Sequence, residues 1–219
     1  VGFRHVVWFE PVREEVRAVR ERVGIADMTA FAKFEFIGPD VAEALGRLTT
    51  NRLPRVGRIG LNYFLTPTGR VEGEMTVTRF AEDHFYLVSA AVGELKDREF
   101  IEAHLPDGLD ATLATVSQYY GVLSVAGPLA RDLLGRCTEA DLSNAAFPWL
   151  SAQEIDVCGV SLRALRVGFV GELGWELHVP MAGMLAVYDG LWKAGQDLGV
   201  ADIGHHAVNS LRMEKGYRT

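Results

Sequence analysis

The ten residues Gly168-Phe169-Val170-Gly171-Glu172-Leu173-Gly174-Trp175-Glu176-Leu177 carry three glycines, two acids and two aromatics. Gly171 and Gly174 bracket a turn, because glycine reaches backbone angles closed to other residues and lets a flat ligand come close to the chain. Acids held beside such a turn present carboxylates in fixed directions. A fixed carboxylate suits a ligand edge with paired N–H donors, and an aminopyrimidine edge is one such fork. A hairpin with solvated acids accounts for the same residues, since most exposed Gly/Glu turns do no chemistry. Phe169 and Trp175 read as core anchors or as a shelf for a ring. Glu176, between Trp175 and Leu177 in a strand, points away from their face and shares its side with His178.

A second acid stands in Val71-Glu72-Gly73-Glu74-Met75-Thr76-Val77-Thr78. Strand alternation puts Val71, Gly73, Met75 and Val77 on one face and Glu72, Glu74, Thr76 and Thr78 on the other. An exposed polar face explains this pattern. In a partly desolvated cleft the mid-strand Glu74 could instead orient an amine, accept its proton or stabilise an iminium cation.

The elements that must position these residues follow from periodicity. Val12, Val16, Val19 and Val23 recur at helical spacing between Pro11 and Gly24. Phe34 and Phe36 alternate with Lys33 and Glu35 in a half-buried strand that ends at Gly38-Pro39, after which Asp40 can cap a short helix from Val41 to Thr49. Residues 59–65 and 71–80 flank Thr66-Pro67-Thr68-Gly69 as a hairpin, residues 84–89 add a strand, and residues 94–104 form a helix before Pro106. Gly38, Pro39, Leu45, Gly46, Arg47 and Thr49 recur 89 residues later as Gly127, Pro128, Leu134, Gly135, Arg136 and Thr138, which indicates an internal duplication or a chance likeness of two strand-glycine-helix units. Two similar lobes, residues 1–118 and 119–219, would then face each other, and pockets favour such junctions. In the second half, 161–167 and 175–179 are strands around the glycine turn, a helix runs from about 181 to 198, and 209–217 is helical, with Leu211 and Met213 implying burial. The fold class is α+β.

With 219 residues, 48% hydrophobic and 23% charged, the chain is large enough for a real core. Its net charge of -7 argues against a nucleic-acid backbone as main partner. No apolar run approaches the roughly 20 residues of a membrane span, and the start lacks the layout of a signal peptide, so a cytoplasmic or mitochondrial-matrix compartment is expected. Cys137 and Cys158 stand in unrelated contexts without metal-ligand spacing, and His205 and His206 point to different sides of any element, so no disulfide framework or metal site is expected. A Gly-rich phosphate loop, a Ser/His/Asp set and the dinucleotide fingerprint are all missing.

From Trp8-Phe9-Glu10-Pro11 to Leu211-Arg212-Met213-Glu214-Lys215-Gly216 the chain resembles the aminomethyltransferase (glycine-cleavage T-protein) family, in particular the branch fused behind an FAD domain in dimethylglycine and sarcosine dehydrogenases. Further markers are Val23-Gly24-Ile25-Ala26-Asp27-Met28, Phe31-Ala32-Lys33-Phe34, Leu65-Thr66-Pro67-Thr68-Gly69-Arg70-Val71, Ala126-Gly127-Pro128 and the turn at Gly168. The resemblance implies two related α+β lobes around a folate channel, with the family's small C-terminal β domain absent here. It implies that Glu74 is the catalytic acid near the reactive nitrogens of tetrahydrofolate, where T-proteins carry Asp. The family motif Tyr-x-Gly-Glu-x-Gly-x-Glu falls on Phe169 to Glu176, which makes Glu176 the holder of the pterin edge and Phe169 a pterin-lining ring without the hydroxyl. Glu172 matches the same motif, with turn shaping as its more direct use, and Tyr63 and Val88 complete the cofactor-binding set. Val208 stands where T-proteins place an Arg.

The implied activity is one-carbon transfer to tetrahydrofolate, forming 5,10-methylenetetrahydrofolate from a methylated amine oxidised on a separate, covalently fused FAD domain. A folate-binding regulatory or assembly module without turnover is the competing reading.

Overall fold

The alternating and helical runs fold into a mixed α+β protein with two sheets, seen in a computed structural model that describes residues 6–218. In chain order the first half holds α1 (Phe9–Glu21), β1 (Gly24–Asp27), β2 (Ala32–Ile37), α2 (Val41–Leu48), β3 (Arg58–Leu65), β4 (Val71–Ala81), β5 (His84–Ser89), α3 (Glu94–His104) and β6 (Thr112–Thr115). The second half holds β7 (Tyr120–Ala126), α4 (Ala130–Gly135), β8 (Ala152–Val157), β9 (Val160–Leu165), β10 (Gly174–Pro180), α5 (Met184–Ala194), β11 (Ala201–Asp202) and α6 (His205–Lys215). Two compact units result, one made of the chain up to Met28, Gly121–Trp149 and Glu154 onward, the other of Thr29–Tyr120 and Leu150–Gln153.

The unit that starts at Thr29 carries a five-stranded sheet in the order β3-β4-β5-β2-β6. Phe34, Phe36, Phe64, Met75, Val77, Phe85 and Leu87 project from one face onto Val41, Ala44 and Leu45 of α2 and Ile101 of α3. That face is the period-two apolar set read from the sequence, and its burial is the main stabilising term of the unit. The β3–β4 hairpin closes at Gly69, which adopts φ +79° and donates its N–H to Thr66 O at 2.8 Å. Asp40 precedes α2 as expected, yet its side chain makes no cap bond. Its Oδ2 instead accepts the N–H of Asp110 at 2.9 Å, which ties the corner at Gly38 to the segment entering β6.

The other unit carries a six-stranded sheet in the order β11-β1-β7-β10-β9-β8. Ile25, Leu123, Val125, Leu162, Ala164, Trp175, Leu177 and Val179 pack with α4 and α5 into one core. A second cluster joins Val19 of α1 and Ala207, Val208 and Leu211 of α6 with Ala26 and Ala126. Leu211 is fully buried there, whereas Met213, expected to be buried with it, is 56% exposed. The expected helix from 181 to 198 is broken into α5 flanked by short 3-10 turns, because the chain reverses at Gly195 and Gly199, the latter at φ +66°.

The repeated glycine corner is the same in both halves. Gly38 and Gly127 hold φ +142° and +138°. A Cβ on Gly38 would lie 2.3 Å from Asp110 O, and one on Gly127 would lie 2.4 Å from Arg22 O. In each case the oxygen belongs to the segment just before the strand that pairs antiparallel with the corner's own strand, β6 with β2 and β1 with β7.

Candidate functional site

Glu74 sits in the middle of β4 on the face opposite the core, and is exposed. Its direct neighbour across the hairpin is Tyr63 of β3. The phenol O–H of Tyr63 donates to the Glu74 carboxylate, and this hydrogen bond is the first cause that raises the Tyr63 pKa above its ordinary 10, with desolvation and the carboxylate's charge acting the same way. On β5, the strand on the other side of β4, Val88 lies on the same face, paired with Thr76 on one side and Lys33 on the other. Three of the residues singled out by sequence therefore share one sheet face. The row continues with Lys33, fully buried, whose ammonium donates to Thr29 O at 2.8 Å and Phe31 O at 2.7 Å.

Phe169, Glu172 and Glu176 belong to the other unit. Glu176 is 9% exposed, on the face of β10 away from Trp175 and Leu177, with Leu165 of β9 opposite. His178 is next on that face, its Nε2 3.6 Å from Glu176 Oε2. That separation is too long for a hydrogen bond. Among the described residues no hydrogen bond to the Glu176 carboxylate is made, so this nearly buried acceptor pair is left for other donors.

Glu172 is engaged by the protein itself. Arg20 of α1 bonds Glu172 Oε1 at 2.6 Å, Glu214 Oε2 at 3.0 Å and Val170 O at 3.2 Å, pinning the turn to two helices. Burial works against the Arg20 charge, but the hydrogen bonds it donates to Glu214 and Glu172 outweigh it and the guanidinium pKa rises. The space that Gly171 and Gly174 leave is filled from within the unit. A Cβ on Gly171, at φ +77°, would lie 2.7 Å from Lys215 Cγ, and one on Gly174 would lie 2.7 Å from Val125 O. Phe169 stacks on Tyr217 with centroids 6.0 Å apart and planes at 21°. Trp175 is wholly core, edge-on to Phe147 at 6.1 Å and flanked by the guanidinium groups of Arg131 and Arg166.

Arg20, Tyr217 and the bond from Tyr63 were missed in the sequence. Arg20 and Glu172 are 152 positions apart, and no local pattern joins them. Val208 is an apolar member of the α1/α6 cluster and 5% exposed. His206, outside any metal cluster among the described residues, stacks on Trp8 with centroids 4.6 Å apart. Among the described residues no helix is long and apolar enough to cross a membrane.

The family model for the GCVT N-terminal domain matches residues 1–219. The mitochondrial dimethylglycine dehydrogenase of Mus musculus is 38% identical over 218 residues, covering 99% of this chain and 25% of its own length. The mitochondrial sarcosine dehydrogenase of Mus musculus is 36% identical, covering 94% of this chain and 24% of its own. The chain thus spans about a quarter of the curated relatives it matches. Among solved structures, the glycine cleavage system aminomethyltransferase T of Bartonella henselae shares the fold, with a TM-score of 0.83 at 24% identity over 95% of this chain and 55% of that one.

Proposed function

The chain belongs to the GCVT N-terminal domain family, and we propose that it is the tetrahydrofolate-binding, one-carbon-transferring portion of an N-methyl amine dehydrogenase of the dimethylglycine or sarcosine type. Its likeness to both dehydrogenases, of whose length it spans about a quarter, supports this. On this reading the two sheets are the cores of two related lobes. An attached FAD domain would supply the oxidation of the methylated amine, and the product of transfer would be 5,10-methylenetetrahydrofolate.

The carrying observation is the Tyr63–Glu74 pair. A carboxylate on an accessible strand face, oriented by a phenol directly across the hairpin, is a group poised to meet a nitrogen base or a cation. We assign Glu74 the role of orienting the amine nitrogen and stabilising the positive charge that develops on the one-carbon donor, and Tyr63 that of holding the carboxylate. Glu176 fits the aminopyrimidine edge of a pterin, because its nearly buried oxygens have capacity for a paired-donor fork. Phe169 lends a ring face and Val88 an apolar contact, while Glu172, through Arg20, fixes the turn that carries Phe169. Tetrahydrofolate, when bound, supplies the nitrogens that take up the one-carbon unit.

Isothermal titration with tetrahydrofolate and a formaldehyde-trapping assay on wild type, Glu74→Ala and Glu176→Ala test the assignment. Glu176→Ala should lose binding, and Glu74→Ala should keep binding but lose trapping. Trapping by Glu74→Ala at the wild-type rate would reject transfer and leave a folate-binding module without turnover.

A further inference from the structure

Cys137 and Cys158, 21 positions apart in the sequence, meet in the structure. Cys137 directly follows the end of α4 at Arg136, and Cys158 occupies the turn between β8 and β9. The backbone N–H of Cys158 donates to Cys137 O at 2.8 Å, and the two thiols are hydrogen-bonded to each other. Both cysteines are free and half-buried against the core of their unit. Two further features hold the Cys158 sulfur where it is. Cys158 adopts φ +53°, a left-handed conformation uncommon for a side-chain-bearing residue, and is followed by Gly159 at φ +78°. Its Sγ fills the space over Gly190 of α5, where a Cβ would come within 2.4 Å of the sulfur.

We propose that Cys137 and Cys158 are a redox pair that closes to a reversible intramolecular disulfide when the protein meets a peroxide. A disulfide needs two sulfurs already close and a backbone that fixes the two residues side by side, and both conditions hold here. Burial, followed by the neighbouring Cys158 sulfur, pushes the Cys137 thiol up to about 12, so Cys137 keeps its proton and Cys158 is the attacking sulfur. The Cys158 sulfur attacks one oxygen of hydrogen peroxide, the O–O bond breaks, and a sulfenic acid forms while the thiol proton leaves with the departing hydroxide as water. The Cys137 sulfur then attacks the sulfenic sulfur, the S–O bond breaks, and the Cys137 proton leaves with the hydroxyl as a second water. The balance is two thiols and one peroxide to one disulfide and two waters. The closed bond ties the end of α4 to the β8–β9 turn.

The experiment treats the chain with excess hydrogen peroxide, removes it with catalase, alkylates in denaturant and maps peptides with and without dithiothreitol. The expected result is loss of both alkylatable thiols together, a Cys137–Cys158 cross-linked peptide within one molecule, and full return of both thiols on reduction. In Cys137→Ser a sulfenic acid on Cys158 should be captured by dimedone. The proposal is overturned if both cysteines stay alkylatable, if either is over-oxidised alone with no cross-link, or if the cross-link joins separate molecules. Mapping on the wild type decides this even where a serine variant does not fold.

Discussion

Arg20 bonds two carboxylates of different exposure, which lets one residue test how much each bond contributes. The side chains of Arg20 and Glu172 are both 27% exposed, whereas Glu214 is 53% exposed. A charge-assisted bond between partly buried groups contributes about 1.5–3 kcal/mol before screening, and an exposed pair about 0.2–1 kcal/mol. With the Arg20–Glu172 pair still touching solvent, its coupling should fall near the lower end, about 1–2 kcal/mol. The Arg20–Glu214 coupling should stay at about 0.5 kcal/mol or less. Arg20→Met also abandons Val170 O, bonded at 3.2 Å. The whole substitution should therefore cost about 2–3 kcal/mol. The assay is urea unfolding of wild type, Arg20→Met, Glu172→Gln, Glu214→Gln and the two doubles, followed by fluorescence of the fully buried Trp175 in the same unit. Raising salt should shrink the Glu214 coupling more than the Glu172 coupling. Equal couplings, or a larger one to Glu214, would refute the claim that exposure decides which bond holds the glycine turn.

The repeated glycines supply a test with its own control. Gly38→Ala and Gly127→Ala each force a side chain to a positive φ and into a backbone oxygen, so each should lose about 3 kcal/mol or more of stability. Gly46→Ala, in α2 with nothing within 4 Å of the new Cβ, should gain about 0.5–1 kcal/mol by helix propensity, and thermal unfolding separates the two classes. For Tyr63, an ultraviolet titration against Tyr63→Phe should show the phenol ionising above its ordinary 10, and Glu74→Gln should bring it down. Since the folded pKa is raised, the pair's stabilisation is full below the unfolded phenol pKa and is lost as pH rises through the folded one. An unchanged titration in Glu74→Gln would show that the carboxylate does not hold Tyr63.

What the sequence revealed depended on whether the cause was local. α3 and β5 lie where the periodicity put them, and the period-two face of β4 correctly separated Glu74 from Met75 and Val77. β1, β6 and β11 went unread because they are only 4, 4 and 2 residues long and exist through pairing with distant strands. The partnership of Tyr63 with Glu74 was hidden for a subtler reason. Near the turn Leu65 pairs with Val71, and that register would set Tyr63 against Gly73, but a bulge between Phe64 and Leu65 shifts it by one residue and brings Tyr63 opposite Glu74. The cysteines, read as unrelated, are joined only by the way α4 and the β8–β9 turn pack on a common core.

The likeness of the two halves extends to a strand-turn-helix unit and stops short of the acids. In one repeat a strand ending at Ser89 leads through the turn Ala91–Gly93 into an 11-residue helix, and in the other a strand ending at Pro180 leads through Met181–Gly183 into another of 11. Aligned on those turns, Phe85 and Leu87 correspond to Trp175 and Leu177, all four buried in their cores. The opposite face has diverged, with Tyr86 and Val88 in one repeat and Glu176 and His178 in the other. Core packing constrains one side of a strand tightly and leaves the other free to change, so the equivalent strands could keep their fold while only one of them acquired a buried acid. The acid of the first repeat lies on β4, where the bulged hairpin supplies a phenol to hold it. Glu74 and Glu176 thus stand on strands that do not correspond between the two halves, β4 and β10, and each acid is set by its own surroundings.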